Sequence, residues 1–404
     1  MRDIKLLEGL KNGGSACCLM LPLKSKAAVK SPASTVYAVE GANGNDGAFN
    51  TLLELMDASG LKFYKTRAKG LLQGPTGLIA RDDVVLVKVN SQWDECGMTN
   101  TDLVKAIVAA VLAHPDGFVG EVVVADNGQA QYGSTSHGGS FEYEVNNAED
   151  RSQSTQKAVD SLGALGRVST YLWDEITEKL VGDYSEGDAD DGYVVAERAD
   201  PLTGMLTSYP KFRTLHGSLV SFKRGVWDPA AKKYDAGRLK VISIPVLKSH
   251  FIYGVTGAVK HYMGVPSDKL SAARGHRPHA SVGKGGMGTL MAETCVPTLS
   301  VLDAIRVNAK PGTGPKTPFD GATEANIIAA STDPVALDYW ASKNILCPIA
   351  KSKYGVDATL FDPDNKTKGS FGDWLKLACA ELNEAGHPYT FDEDRIAVKI
   401  AGKP

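Results

Sequence analysis

Two kinds of apolar run alternate along the chain. The first is short and Val-rich, with apolar residues on successive positions: STVYAVEG (34–41), DDVVLVKVN (82–90), EVVVADNG (121–128), KVISIPVL (240–247), LSVLDAIRV (299–307) and ANIIAAS (325–331). Runs of this length without a polar face predict strands covered on both sides, as in parallel sheets. RVSTYLW (167–173) and DRIAVKIA (394–401) predict two more strands. The second kind spaces its apolar residues three and four apart. GNDGAFNTLLELMDASG (44–60), TNTDLVKAIVAAVLAHP (99–115), QSTQKAVDSLGALG (153–166), DPVALDYWASKNIL (333–346) and GSFGDWLKLACAELNEAG (369–386) predict helices, most with a polar cap residue at the start or a Gly or Pro at the end.

Strand, helix and strand over 82–128 read as a crossover unit, which requires a parallel pair. The whole pattern predicts an α/β fold, a mostly parallel sheet with crossover helices. Two stretches depart from it. Residues 129–155 are polar and rich in Gly, Ser and Asn, a long loop. Residues 181–237 carry Gly, Asp, Pro and short β-like runs, and predict a polar, antiparallel insertion. The expected organisation is two lobes: an N-terminal α/β lobe over 1–180 and a C-terminal α/β lobe over 238–404, separated by the insertion at 181–237.

Composition narrows the function classes. With 404 residues, 43% hydrophobic and 23% charged, the chain is an ordinary folded protein. A net charge of −3 argues against nucleic acid as a partner of the whole chain. The charge is unevenly placed: residues 128–200 hold 15 Asp/Glu against 5 Lys/Arg, and residues 201–290 hold 14 Lys/Arg against 3 Asp/Glu. That asymmetry predicts an anion-binding half balanced by an acidic one. No run reaches the roughly 18 apolar residues of a membrane span, so no membrane partner is expected. The six cysteines include no C-x-x-C pair, so neither a zinc ribbon nor an iron–sulfur cluster is expected in this chain. Scattered thiols fit a reducing compartment, and a cytoplasmic location is the expectation.

The candidate chemistry lies at strand ends, where α/β sheets bind ligands. VKVN delivers Lys88 and Asn90 one pleat apart, and VLKSH delivers Lys248 and His250 in the same relation. A lysine closing a buried strand calls for an anionic partner or ligand, and a carboxylate or phosphate suits such a pair. Asp126 ends the second strand of the crossover unit and is a candidate acid. GVTGAVKH (254–261) places Thr256, Gly257 and Lys260 where a short helix starts, a setting whose free N–H groups favour an anion. His250, His261, His276 and His279 crowd the same region with Arg274 and Arg277; Arg274 is a further candidate for the anion, and His276 and His279 for a metal. Their spacing is not that of H-E-x-x-H or a zinc finger. Asp303 and Asp333 read as turn or cap residues, and Cys96 as an inert buried thiol.

Taken together these stretches resemble the family called domain of unknown function 362. The resemblance rests on VLVKVN with TNTDLVKAIVAAV, VVVADNG, VISIPVLKSH with GVTGAVKHYMGVP, the Arg274 to His279 region and IIAASTDPVALD, and spans roughly residues 80–345. Many members carry iron–sulfur modules, for which this chain lacks the cysteines. A second resemblance is to the nickel-pincer lactate racemases: a histidine, a Gly-containing turn, a lysine ten positions on, and a further histidine sixteen beyond. It implies Lys260 as the tether of a nicotinate-derived nucleotide, His276 as nickel ligand and His250 as proton acceptor. It also implies a second acid/base histidine, for which His137 is the candidate.

The expectation is an enzyme on a small anionic substrate, an isomerase, racemase or redox-type enzyme using histidine acid/base chemistry and lysine anion binding, with a nickel-pincer nucleotide or a divalent metal as the cofactor in view. The competing expectation is a non-catalytic anion-binding protein or electron-transfer partner working with a redox protein. The oligomeric state is not legible.

Overall fold

The computed structural model of the protein describes residues 33–129 and 139–402. They fall in one compact unit. At its centre is a ten-stranded sheet. Eight strands lie side by side in the order Ile396–Gly402, Ser34–Glu40, Thr323–Ser331, Leu299–Asn308, Leu239–Ser243, Val84–Lys88, Glu121–Asp126 and Val168–Leu172. Of the eight, only Thr323–Ser331 runs against its neighbours. The mostly parallel α/β architecture is therefore as the sequence predicts.

Alternation explains why the Val-rich runs have no polar face. Val84 and Leu86 enter one core while Val85 and Val87 enter the other, and Val123 and Val124 divide in the same way. One core is closed by helices Ala48–Ala58 and Thr101–Leu112, the other by Pro334–Ala341 and Phe371–Glu384. Thr101–Leu112 starts where expected, with Asn100 accepting from the Leu103 N–H. Asp303 and Asp333 are indeed structural: Asp333 caps Pro334–Ala341, and Asp303 accepts from the Asn100 N–H at 2.8 Å. Cys96 is fully buried, and burial pushes its thiol up to about 12.

Two features depart from the expected elements. The single strand expected over 240–247 is two strands, Leu239–Ser243 and Val246–His250, because Pro245 has no N–H for the ladder. The second strand turns back onto Gly254–Thr256, so a hairpin stands where a helix start was expected; the helix itself, Lys260–Gly264, is a single 3-10 stretch. The N- and C-terminal segments also share one sheet. Val84–Lys88 pairs with Leu239–Ser243 along its whole length, so the boundary at 181–237 does not divide the sheet. The insertion is antiparallel as predicted: Gly192–Val195, Ser208–Arg213, Leu219–Ser221, Gly225–Asp228 and Lys233–Asp235 form a separate five-stranded sheet. It is not a polar appendage, since Tyr193, Phe212 and Phe222 sit in the main core beside Trp173 and Tyr262.

This topology positions a crevice. From Val84–Lys88 the chain steps outward through Glu121–Asp126 to Val168–Leu172, then returns to the other side with Leu239–Ser243. The order reverses there, and the loops beyond the strand ends part and leave a cleft.

Candidate functional site

A cleft of about 360 Å³ lies at that reversal. Of the candidate residues it is lined by Asn90, Asp126, Lys248, His250, Thr256, Lys260 and His279, drawn from four segments far apart in sequence. His261, Arg277, Asp268, Gln129 and Trp93 join them. Arg274 and His276 do not. Both are exposed, and the Arg274 guanidinium donates to the Ala196 carbonyl at 3.1 Å, away from the cleft. The turn after Asp268–Ala273 carries the two residues outward, which sequence proximity to His279 could not reveal. His137 lies outside the described residues.

Lys88 and Asp126 form a fully buried ion pair, Nζ to Oδ1 at 2.8 Å. The other carboxylate oxygen accepts from the Ser91 N–H at 2.8 Å and the Ser91 hydroxyl at 3.0 Å. Burial drives the lysine downward and the acid upward, and their contact opposes both shifts. With each charge spent on the other, Lys88 is a strut beneath the cleft floor and not an anion-binding arm, and Asp126 orients that strut. Gly264 permits the approach: a Cβ there would stand 2.4 Å from Asp126 Oδ1.

The Gly/Thr turn also has an occupant of its own. The N–H groups of Ala258 and Val259, expected to be free for an anion, donate to the two oxygens of Asp338 at 2.5 and 2.9 Å. Gly257 is required because a Cβ would lie 2.3 Å from Asp338 Oδ1. Asp338 ends the DPVALD motif, and its role as an internal anion was visible only as an acid on a helix otherwise apolar throughout.

His250 and His261 have defined tautomers. Nδ1 of His250 accepts from the Ile252 and Tyr253 N–H groups at 3.2 and 3.4 Å, so its proton sits on Nε2. Burial, then the nearby Lys260, push this imidazole down to about 2. It is therefore a neutral hydrogen-bond donor, not the proton acceptor expected from the sequence. Nε2 of His261 faces the Val89 carbonyl at 2.9 Å and must donate; Nδ1 accepts from the Ser243 hydroxyl at 2.8 Å. With both nitrogens spent, His261 ties the ends of two strands together. His279 has the Asp268 carboxylate beside it, and burial still lowers it.

What remains is a set of buried donors. Lys248 is 2% exposed and Lys260 4%. Lys248 donates to the Gly97 carbonyl. Lys260 has no hydrogen bond or ion pair among the described residues and lies 5.6 Å from the centroid of the Tyr253 ring. Burial pushes both down to about 7; Lys260 is lowered further by Lys248, while Asp126 and Asp303 partly hold Lys248 up. The Thr256 hydroxyl and the Trp93 indole N–H are buried with no partner among the described residues. Asn90 accepts from the Val246 N–H at 2.9 Å through its oxygen, and its amide N–H2 has no partner among the described residues. Trp93, Gln129 and Asp268 were missed by sequence reasoning; Trp93 in QWDECG carried a signal, a large aromatic in the loop beyond a strand end. Among the described residues no group of three or more His, Cys, Asp or Glu side chains could hold a metal, and no helix is long and apolar enough to cross a membrane.

Comparison with known proteins bears on this region. The chain is 31% identical over 143 residues to the Thylakoid-associated protein sll1697 of Synechocystis sp. (strain ATCC 27184 / PCC 6803 / Kazusa), an overlap covering 32% of this chain and 42% of that protein. The chain thus spans less than half the length of that curated relative. Residues 234–343, which carry Lys248, His250, Thr256, Lys260 and His279, match the family described as Domain of unknown function (DUF362).

Proposed function

We propose that the cleft binds a small anion, a carboxylate or phosphate, and that the protein is an enzyme acting on it. One observation carries this reading: Lys260 is buried at the cleft wall with no acceptor for its N–H groups among the described residues. A buried ammonium left alone is costly, and a bound anion offsets that cost. The orphaned Thr256 and Trp93 groups and the Asn90 amide supply neutral donors around the same space. No carboxylate competes freely, since Asp126 is held by Lys88 and Asp268 lies beside His279.

The chemistry follows from the protonation states. The Nε2–H of His250 donates to a substrate oxygen where negative charge develops. Lys248 holds the carboxylate, and Lys260, poised near neutrality, takes and returns a proton next to it, as isomerisation or racemisation requires. The residues do not fit a nickel-pincer ligand set. Lys260 faces the cleft, but His276 is exposed outside it and His250 has only its Nε2 available.

Calorimetry with lactate, pyruvate and inorganic phosphate tests the binding, and deuterium uptake at the carbon beside the carboxylate, followed by NMR in D2O, tests the turnover. The expected result is binding by the wild-type protein that Lys260→Met abolishes without loss of fold. Binding that survives Lys260→Met unchanged overturns the site. Binding without exchange or turnover across a panel of small acids favours a carrier.

A further inference from the structure

We infer that Lys260 is a nucleophilic amine that forms an imine with the carbonyl carbon of a small 2-oxo acid held in the cleft. The inference rests on the anion-binding reading above and narrows it to a substrate class. It starts from the difference between the two cleft lysines. Lys248 donates to the Gly97 carbonyl and has Asp126 and Asp303 nearby, all of which favour its charged form. Lys260 has no acceptor among the described residues, and its ammonium stands over the face of the Tyr253 ring at 5.6 Å from the centroid. An amine in such surroundings sheds its proton readily, because the ring face at that distance holds the ammonium only weakly, no described oxygen accepts from it, and a second cation stands nearby. That is the usual way a lysine is prepared for attack on a carbonyl. The depressed proton affinity of Lys260, with burial and Lys248 as its causes, agrees.

The other groups fit the two ends of a 2-oxo acid. The carboxylate needs a fixed cation and neutral donors, which Lys248, the Asn90 amide, Thr256 and Trp93 provide. The ketone oxygen needs a donor that is not a strong acid, and His250, neutral with its proton on Nε2, is one. Phe251 stacks on His250 at 5.3 Å and lines the cleft with Ile252 and Met263, giving the substrate's third substituent an apolar wall.

The step balances without an added reactant. The Lys260 nitrogen lone pair forms the N–C bond as the carbonyl π electrons move to oxygen, which takes up a proton while the nitrogen loses one. The carbinolamine then expels its hydroxyl as water, the second amine hydrogen leaving with it, and the C=N bond is left. The imine acidifies the neighbouring carbon, the activation that proton transfer there needs.

Reductive trapping on the full-length protein tests the inference. The protein is incubated with pyruvate and sodium cyanoborohydride, then analysed by intact mass and peptide mapping, with lactate binding measured in parallel by calorimetry. The expected result is one adduct, of pyruvate less its ketone oxygen, on the Lys260 peptide. It falls to background in Lys260→Arg, and Lys248→Met reduces it. Lactate binding without a Lys260 adduct overturns the inference and leaves the anion site standing. An adduct that persists in Lys260→Arg, spread over exposed lysines, also overturns it. Absence of both adduct and lactate binding removes the inference and the anion reading together.

Discussion

Lys260 shows how a residue's chemistry is set by what it lacks. In water its ammonium would hold its proton to about 10.5; in the cleft wall it holds it only to about 7. Below about pH 7 both the folded and the unfolded chain carry the charge, and the folded state bears the full cost of burying it. Between there and about 10.5 the unfolded chain binds the extra proton, so stability rises with pH. Lys260→Met is therefore expected to be more stable than wild type near pH 6, with the difference fading as pH approaches about 10; denaturant titrations of both proteins at several pH values check this. Anion affinity runs the other way. Lactate, which does not itself titrate there, should bind more weakly above about pH 7, by up to about ten-fold per pH unit for each lysine charge it relies on. Facing the same space are Lys248, which titrates alongside, Arg277, Lys316, His279, Asp268, the Lys88-paired Asp126, and His250 and His261, and His250 stays neutral throughout. Flat affinity from about pH 6 to 9 would mean that neither lysine's charge holds the ligand.

At the scale of elements, the sequence revealed where strands end but not what each end meets. Lys248, His250 and Lys260 were legible as cleft residues because polar groups closing a buried strand must have a reason to be there. Lys88 and Asp126 obeyed the same rule for a different reason, as partners of each other across neighbouring strands at 2.8 Å. A strand-end pattern cannot tell a ligand from a neighbour, since both satisfy the same charge. The break at Pro245 was legible in principle, because proline cannot sit inside a central ladder. The turn at 257–259 was not, since its anion, Asp338, lies some eighty positions away, on Pro334–Ala341. That pairing makes a sharp prediction. Gly257→Ala places a methyl carbon 2.3 Å from Asp338 Oδ1 and must push the carboxylate off its two N–H groups. A loss of about 1–3 kcal/mol is expected from overpacking of this kind. Ser249→Ala, in the adjoining strand, deletes a buried hydroxyl with no partner among the described residues and should cost far less. Equal stability of Gly257→Ala and wild type in urea would show that the turn tolerates a shifted carboxylate.

At the scale of the whole molecule, the insertion is what the sequence concealed most. Its short β runs and polar residues read as an antiparallel insertion set apart from the two lobes, yet its sheet supplies part of the wall behind the cleft. Phe222 is fully buried, with its ring 5.7 Å from Trp173 and 6.0 Å from Tyr262. Tyr262 lies within Lys260–Gly264, two residues beyond the cleft lysine, and its hydroxyl donates to the Cys295 carbonyl at 2.6 Å. The insertion thus braces the segment that presents Lys260 from the side opposite the ligand. Phe222→Ala should cost about 3–5 kcal/mol through the cavity it leaves. It should also weaken lactate binding under conditions where the variant is still fully folded, because the helical turn carrying Lys260 loses its backing. Phe222→Leu, which fills most of the volume, should recover most of both. A variant that loses stability while binding lactate as tightly as wild type would reduce the insertion to a stabilising layer. Binding that weakens in Phe222→Ala and returns in Phe222→Leu would make the insertion part of the site, reaching the ligand only through the packing of one aromatic ring on another.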